Sequence, residues 1–492
     1  MHPSSWPDAL PGILDRIVAE GAAVDRPRVR IPVTAYLVPT ENRSAIQFSL
    51  PVVVGRRILE EFPLDPAGSD GAVAALIEHL KGRVPGVPAL GPLAGAGTRY
   101  PGRYRDGVEP YTVIRSPTAM AEGLWKADHR NEAGPAGIHL TLRGALPDPG
   151  QPDGKGIREV TERLEALLAT TADQVFRAPA PVLEKEWRNS LDQKWLRNAL
   201  PGLGLVSFIG DGSLPARGFT HLRCFPRVAG PKEGVSVLFR CPPEHKPVEV
   251  ELPCTGGTRT GLGIRQKEVF AIAGSNAEGK STLLAAVWSG QDDHMLGDGR
   301  EPIVTVPGVA RAEAGSQELG LADVSLFFRC LPPGLTGTPD AVSGQGSASL
   351  VMAQQLQQAI RVGAPLCVFD EDTSAPNLLV PSCVQGDEVK VLSRILASER
   401  HLLGATTLLF AAGALDILVA QADRILILEG HAARAVDPAA FRARLAGHLA
   451  AELVSLRVRN AGGGNQATER LSASGERPGG GSAPSRTHPD EG

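Results

Sequence analysis

Aromatic residues make up only 4% of the 492 residues. No interleaved basic–aromatic run, of the kind that stacks unpaired bases, stands out. Cysteine is sparse and scattered: Cys224, Cys241, Cys254, Cys330, Cys367 and Cys383 form no C-x-x-C pair and have no histidine cluster beside them. That excludes a spaced zinc site and a disulfide scaffold, and leaves buried free thiols as the expectation. No apolar run is long enough to span a bilayer. The N-terminus lacks the basic–apolar–small pattern of a secretory signal. A reducing cytoplasm with no membrane partner is the simplest expectation. Neither sign of charge dominates, with 50 Lys and Arg against 54 Asp and Glu, a net charge of −4. This removes any global electrostatic case for nucleic-acid binding, although a local basic patch is still allowed.

The hydrophobic content, 42%, is that of an ordinary globular chain, and the length allows two or three domains. Residues 1–180 mix strand-like and helical patches. Pro7 to Gly21 has helical period, Arg28 to Val38 and SAIQFSLPVVV alternate as strands, and GAVAALIEHLKG and REVTERLEALLATTADQVF are amphipathic helices. This N-terminal α+β domain is expected to face a partner or nucleic acid. Residues 181–460 begin with a charged helix ending at Pro201. Strands are expected at LVSFIG, GVSVLFRCPP and KPVEVELP, followed by alternating strands and helices that predict a mostly parallel sheet. Residues 461–492 are rich in Gly, Ser and Pro without apolar period, and are expected to be disordered.

Between the buried run Val269 to Ala273 and the helical run from Ser281 lies GSNAEGKST, which matches G-x-x-x-x-G-K-[ST]. Strand, loop and helix are the context that this Walker A pattern requires. Glycines let successive N–H groups turn inward around an anion, and the helix N-terminus adds partial positive charge. Gly274, Ser275, Asn276, Ala277, Glu278, Gly279, Lys280, Ser281 and Thr282 are therefore the expected nucleotide-binding residues. Lys280 would reach the β- and γ-phosphates, and Ser281 would hold Mg²⁺. A second short apolar strand, Leu366 to Phe369, ends in Asp370 and Glu371. Asp370 is the expected second metal ligand and Glu371 the expected catalytic group, orienting an attacking water. Solvated carboxylates capping a strand are the plainer reading of the same pair.

The segment Ala341 to Gly363 places a Ser/Gly-rich turn, SGQGSAS, before an amphipathic helix. It resembles the signature segment of ABC-type ATPases, and Asp370-Glu371-Asp372-Thr373-Ser374-Ala375 resembles their carboxylate strand. The resemblance implies a P-loop NTPase core of ABC type, an α/β fold. In that family two units sandwich ATP and Mg²⁺, the signature turn of one completing the site of the other. Ser343, Gly344 and Gly346 would act in trans in this way, in a homodimer. More narrowly, the chain resembles a family described as predicted ATPases of the ABC class, which includes a kinetoplastid mitochondrial RNA-editing accessory protein. That resemblance rests on GLVSFIGDGSLPARG, GLGIRQKEVFAIAGSNAEGKSTLL, HMLGDGREPIVT, ARAEAG, the SGQGSAS turn and DEDTSAPN. RNA as a partner is implied by this resemblance only.

The pattern also departs from ABC ATPases. Asp372 stands where they carry proline, Asn377 where they carry aspartate, and Gly413 where a switch histidine follows the strand Thr406 to Phe410. An adenine-stacking aromatic is not visible before Gly274. Gln317 is a candidate γ-phosphate sensor or a plain surface residue. Asp298, Arg300 and Arg311 are expected to form ion pairs near the site or elsewhere. Asp211 suits a turn. Arg26, Arg28, Arg30, Lys194 and Arg197 are the best local basic groups, as a phosphate-contacting stripe or a solvated face. Four functional readings stay open: an ATPase, a slow or non-hydrolysing nucleotide-gated binding module, a P-loop phosphotransferase, and a structural protein with a dead site.

Overall fold

The computed structural model describes residues 5–20, 28–31, 35–39, 43, 45–94, 131–215, 237–384 and 386–463. It comprises two compact units, Met1–Pro438 and Ala439–Gly492. The second consists, where described, of the C-terminal helix; the expected disordered tail lies, from 464 on, outside the described residues.

The first unit opens with helix α1 (Trp6–Glu20). Strands β1 (Val29–Arg30), β2 (Tyr36–Pro39) and β3 (Ala45–Val54) follow, then helix α2 (Ser69–Arg83). Strands β4 (Glu132–Gly134) and β5 (Gly137–Pro147) complete an antiparallel sheet centred on the β3–β5 pair. Helix α3 (Gly154–Arg177) starts where Asp153 accepts hydrogen bonds from the Lys155 and Gly156 amides, a side-chain N-cap. Its apolar face, with Leu164, Leu167 and Leu168, packs with Ile13, Phe48 and Leu142 in one core.

Helix α4 (Ala180–Ala199) is shared between two cores. Its Leu183 and Trp187 lie in the first core, and its Leu196 in the second. Trp187 stacks edge-on against Phe62 and donates its indole N–H to the Asp65 carbonyl at 2.7 Å. Helix α2 comes so close that a Cβ on Gly71 would stand 2.1 Å from the Glu186 carbonyl oxygen; only glycine fits there. Both cores thus share the helix that begins at Ala180, within the one compact unit Met1–Pro438.

Beyond α4, strands β6 (Leu205–Gly210), β7 (Val248–Glu251) and β8 (Thr258–Arg265) lead into β9 (Val269–Ala273) and helix α5 (Lys280–Ser289). Strands β10 (Ile303–Thr305), β11 (Ala310–Arg311), β12 (Gln317–Ala322), β13 (Thr336–Thr338) and β14 (Ala341–Gly346) precede helix α6 (Ala348–Arg361). Strands β15 (Leu366–Asp370), β16 (Thr407–Ala412), β17 (Arg424–Glu429) and β18 (Ala432–Val436) follow, and the C-terminal helix is α7 (Pro438–Gly463). The central sheet has the order β11-β15-β16-β9-β17-β18. It is parallel except for the β17–β18 hairpin, matching the parallel-dominated α/β sheet expected. Its central strands β9, β15 and β16 are buried throughout, as strands covered on both faces must be.

Two local expectations fail. Residues 237–242 of GVSVLFRCPP form no strand. They are pinned instead to the turn after β6: the Phe239 amide donates to the Ser213 carbonyl, and the Cys241 amide to the Asp211 carboxylate at 2.6 Å. SGQGSAS is not simply a turn either. Its first four residues form the end of β14, held between β12 and β13.

Candidate phosphate-binding site

Three strand ends build one edge of the site. In the parallel register, Asp370 of β15 lies beside Ala411 of β16, and Ala412 lies beside Ala273 of β9. The residues that follow each strand therefore emerge side by side, where parallel α/β sheets place ligands.

The loop after β9 needs its glycines. Gly274 has φ +143°, and a Cβ there would sit 2.5 Å from the Leu428 carbonyl oxygen on β17. Gly279, with φ +96°, is the N-cap of α5 and offers no side-chain cap. Ala277 also takes a positive φ, +66°, which an L residue adopts at a cost. Ser275, Asn276, Ala277 and Ser281 are exposed, and Gly274, Glu278, Gly279, Lys280 and Thr282 are half-buried. The first amides of α5 thus face an open loop without a competing side-chain acceptor, which is an anion-binding geometry. Lys280 folds back along the loop and donates Nζ–H to the Ser275 carbonyl at 2.8 Å.

The loop is anchored from a residue that sequence reasoning missed. His431, between β17 and β18, has φ +64°. Its amide donates to the Glu278 carboxylate at 2.9 Å, and its Nδ1 lies 3.2 Å from the Glu278 carbonyl oxygen. Glu278 is thereby turned toward the hairpin. Nothing in a lone histidine after a glycine signals this contact.

Asp370 ends β15 almost fully buried, and its backbone carbonyl accepts the Ser374 hydroxyl at 2.5 Å. Its carboxylate and the Ser281 hydroxyl are hard oxygen donors. Such a set fits Mg²⁺, which takes one or two carboxylates and completes its shell with phosphate oxygens and water. Among the described residues no group of three or more His, Cys, Asp or Glu forms an all-protein metal cage. Glu371 turns toward the loop after β16. Its Oε2 accepts from the Ala414 amide at 2.9 Å and from the Gly413 amide, and its Oε1 lies 3.2 Å from the Ala414 amide.

The signature residues sit apart from loop 274–279 in sequence and sheet. Ser343 accepts the Leu321 amide at 3.1 Å through its hydroxyl and the Thr336 hydroxyl through its carbonyl. Gly344, at φ +120°, pairs with Leu319, and Gly346 pairs with Gln317. The side chain of Ser347, at the N-cap of α6, makes no cap bond. Gln317 is exposed on β12.

Other expected groups are used structurally. Arg300 and Asp298 form a buried pair at 2.9 Å, and the Arg300 guanidinium reaches the Ser289 hydroxyl at the C-terminal end of α5. Arg311 pairs with Glu313 at 2.6 Å. Arg28 pairs with Asp173 and lies over Phe176; Lys194 and Arg197 both pair with Asp293. Arg26 lies outside the described residues. Phe270, the aromatic in the run before Gly274, is fully buried in β9. Cys241 and Cys367 are buried free thiols; burial pushes them up to about 11 and about 12 respectively. Cys254, Cys330 and Cys383 are free as well. Among the described residues no helix is long and apolar enough to cross a membrane.

Buried strand, glycine loop, lysine at a helix start and a carboxylate strand two places along the sheet define a P-loop nucleotide-binding protein. The family model for the ABC_ATPase P-loop domain matches residues 180–455. An uncharacterized protein of Methanocaldococcus jannaschii is 39% identical over 398 residues, spanning 80% of this chain and 86% of that protein. The chain belongs to the ABC ATPase P-loop family. Partial likenesses occur among solved structures. A nucleotide-free ATP-binding cassette from an ABC transporter is 17% identical, covering 36% of this chain and 82% of that one, with a TM-score of 0.22. CbiO1 from Clostridium perfringens, part of an ABC transporter complex, is 17% identical, covering 44% and 96%, with a TM-score of 0.27. Membership rests on the family match and the archaeal relative.

Proposed function

We propose that this P-loop protein binds ATP with Mg²⁺ and hydrolyses it, using a second copy of the chain to complete the site. The observation that carries the reading is the convergence of loop 274–279, Lys280, Asp370 and Glu371 at one sheet edge. The loop amides and Lys280 hold the phosphates, while Ser281 and Asp370 would hold the metal, which would supply compensation of the negative charge on the phosphates. Glu371 accepts a proton from water as its oxygen bonds to the γ-phosphorus and the bond to ADP breaks, giving ADP and phosphate. Positioning and charge compensation do most of the work in such a reaction. Ser343, Gly344 and Gly346 belong to this reading as the partner-facing segment, together with the uncapped start of α6. A cytoplasmic location also belongs to it, supported by the free cysteines. RNA remains the proposed partner class from family resemblance.

The test is the solution mass of Glu371→Gln by light scattering, with and without Mg²⁺-ATP, beside phosphate release by the unmodified chain. A monomer-to-dimer shift that needs ATP supports the sandwich. Tight ATP binding with an unchanged monomer mass overturns it and favours phosphoryl transfer to a small acceptor. A second reading is a nucleotide-gated binding module of slow turnover, favoured by Gly413 at the end of β16. Dimerisation on ATP with negligible phosphate release identifies it.

A further inference from the structure

No side chain after β16 reaches toward the phosphate loop from position 413, yet Glu371 is held. Two consecutive amides, Gly413 and Ala414, converge on one carboxylate oxygen, Oε2. Successive backbone N–H groups aimed at one point form an anion nest. The nest is close to the phosphate loop: a Cβ on Gly413 would lie 3.5 Å from Lys280 Nζ, 3.5 Å from the Gly274 carbonyl oxygen and 3.7 Å from Asn276 Oδ1. The register explains the placement. β16 lies between β15, which Glu371 follows directly, and β9, which the loop follows.

We propose that the Gly413–Ala414 backbone is the positioning element for Glu371, doing with two amides what a side chain would otherwise do. This rests on Glu371 being the water-orienting group. The two oxygens are unequal. Oε2 takes both short contacts, whereas Oε1 has one longer contact at 3.2 Å. Oε1 is therefore the oxygen with lone pairs left for water, and the nest fixes which way it points. Glycine at 413 is not required for space, since the contacts its Cβ would make are ordinary ones. What the position must provide is its N–H, which every residue except proline carries.

Two measurements test this. Steady-state ATP hydrolysis is compared between Gly413→Pro, which deletes one donor, and Gly413→Ala, which keeps it. A kcat at least about ten-fold lower in the proline variant, with KM for ATP little changed, is expected, because misplacing a catalytic group costs rate more than binding. Equal kcat values overturn the proposal. Amide hydrogen exchange of the peptide from Phe410 to Leu415 is then read by mass spectrometry in the unmodified chain and in Glu371→Ala. Faster exchange by about two amides in the alanine variant supports the nest; unchanged exchange overturns it. The second measurement needs no turnover. A chain that binds ATP without hydrolysing it fails the ATPase reading and still decides the nest. It also decides the case in which the proline variant does not fold.

Discussion

The two ends of α5 are built in opposite ways. At its N-terminus the cap is Gly279, with no side-chain bond, and the preceding loop is open. At its C-terminus the Ser289 carbonyl and the loop carbonyls just beyond it are crowded with N–H and cationic groups. Arg197 gives to the carbonyls of Gly290 and Asp292, both at 3.2 Å, His294 Nε2 lies 3.2 Å from the Ser289 carbonyl, and the Arg300 guanidinium reaches the Ser289 hydroxyl. Cationic and N–H groups belong at a helix C-terminus for both hydrogen-bonding and dipole reasons. One end has its backbone groups answered by protein; the other is left for an anion. One helix thus has a bonded, anchored end and an open end, the latter being the end proposed to bind phosphate.

The contrast breaks most visibly at Lys280. Lys280→Ala is expected to weaken ATP binding about a hundred-fold, the cost of one charge-assisted contact to phosphate, with stability little changed. Calorimetric titration beside a urea melt checks it; equal losses in both would contradict an open, functional end. Arg197→Met attacks the anchored end. It removes the 2.8 Å partner of Asp293 and one donor each from the Gly290 and Asp292 carbonyls, the first of which keeps the Thr305 amide, and is expected to cost about 3 kcal/mol of stability by urea unfolding. Its effect on ATP affinity should stay within about two-fold if the two ends are independent.

Acid sharpens the same point. Burial works against ionisation of Asp293, but Arg197, Lys194 and the Ser190 hydroxyl outweigh it and hold its carboxyl below the usual range. A depressed folded pKa contributes stability that is fully present above the unfolded value. That stability is lost as pH falls through the folded one. Unfolding free energy should therefore drop between about pH 5 and pH 3 by more in the unmodified chain than in Asp293→Asn. The smallest effect is expected from His431→Ala. It removes the Nδ1 contact to the loop while the backbone bond to Glu278 stays, worth about 1 kcal/mol or less in loop stability or ATP affinity.

How much of this was readable beforehand depends on what kind of group does the work. The phosphate loop was legible because its constraint is local: two glycines with positive φ and a lysine at fixed offsets leave a pattern in the chain. β9, β15 and β16 were legible because strands buried on both faces must be apolar throughout. The SGQGSAS segment reads as a turn because glycine and serine are turn residues, yet its first half is a strand edge-bonded to two others, and that pairing is decided by distant residues. Residues 237–242 alternate like a strand but have their backbone groups taken by the Ser213 and Asp211 turn. The Glu371 nest leaves no mark at all, because amides are common to nearly every residue.

Helix α4 has a consequence of another kind. Its first half is buried in the core of the N-terminal sheet, its second half in that of the phosphate-loop sheet, and Arg197 on the same helix bonds the far end of α5. Neither half can melt without exposing Trp187 or Leu196. The described residues of the first unit should therefore unfold as one cooperative block, so that free energy gained where an anion binds raises the protection of α2 amides that exchange only through global unfolding, a sheet away.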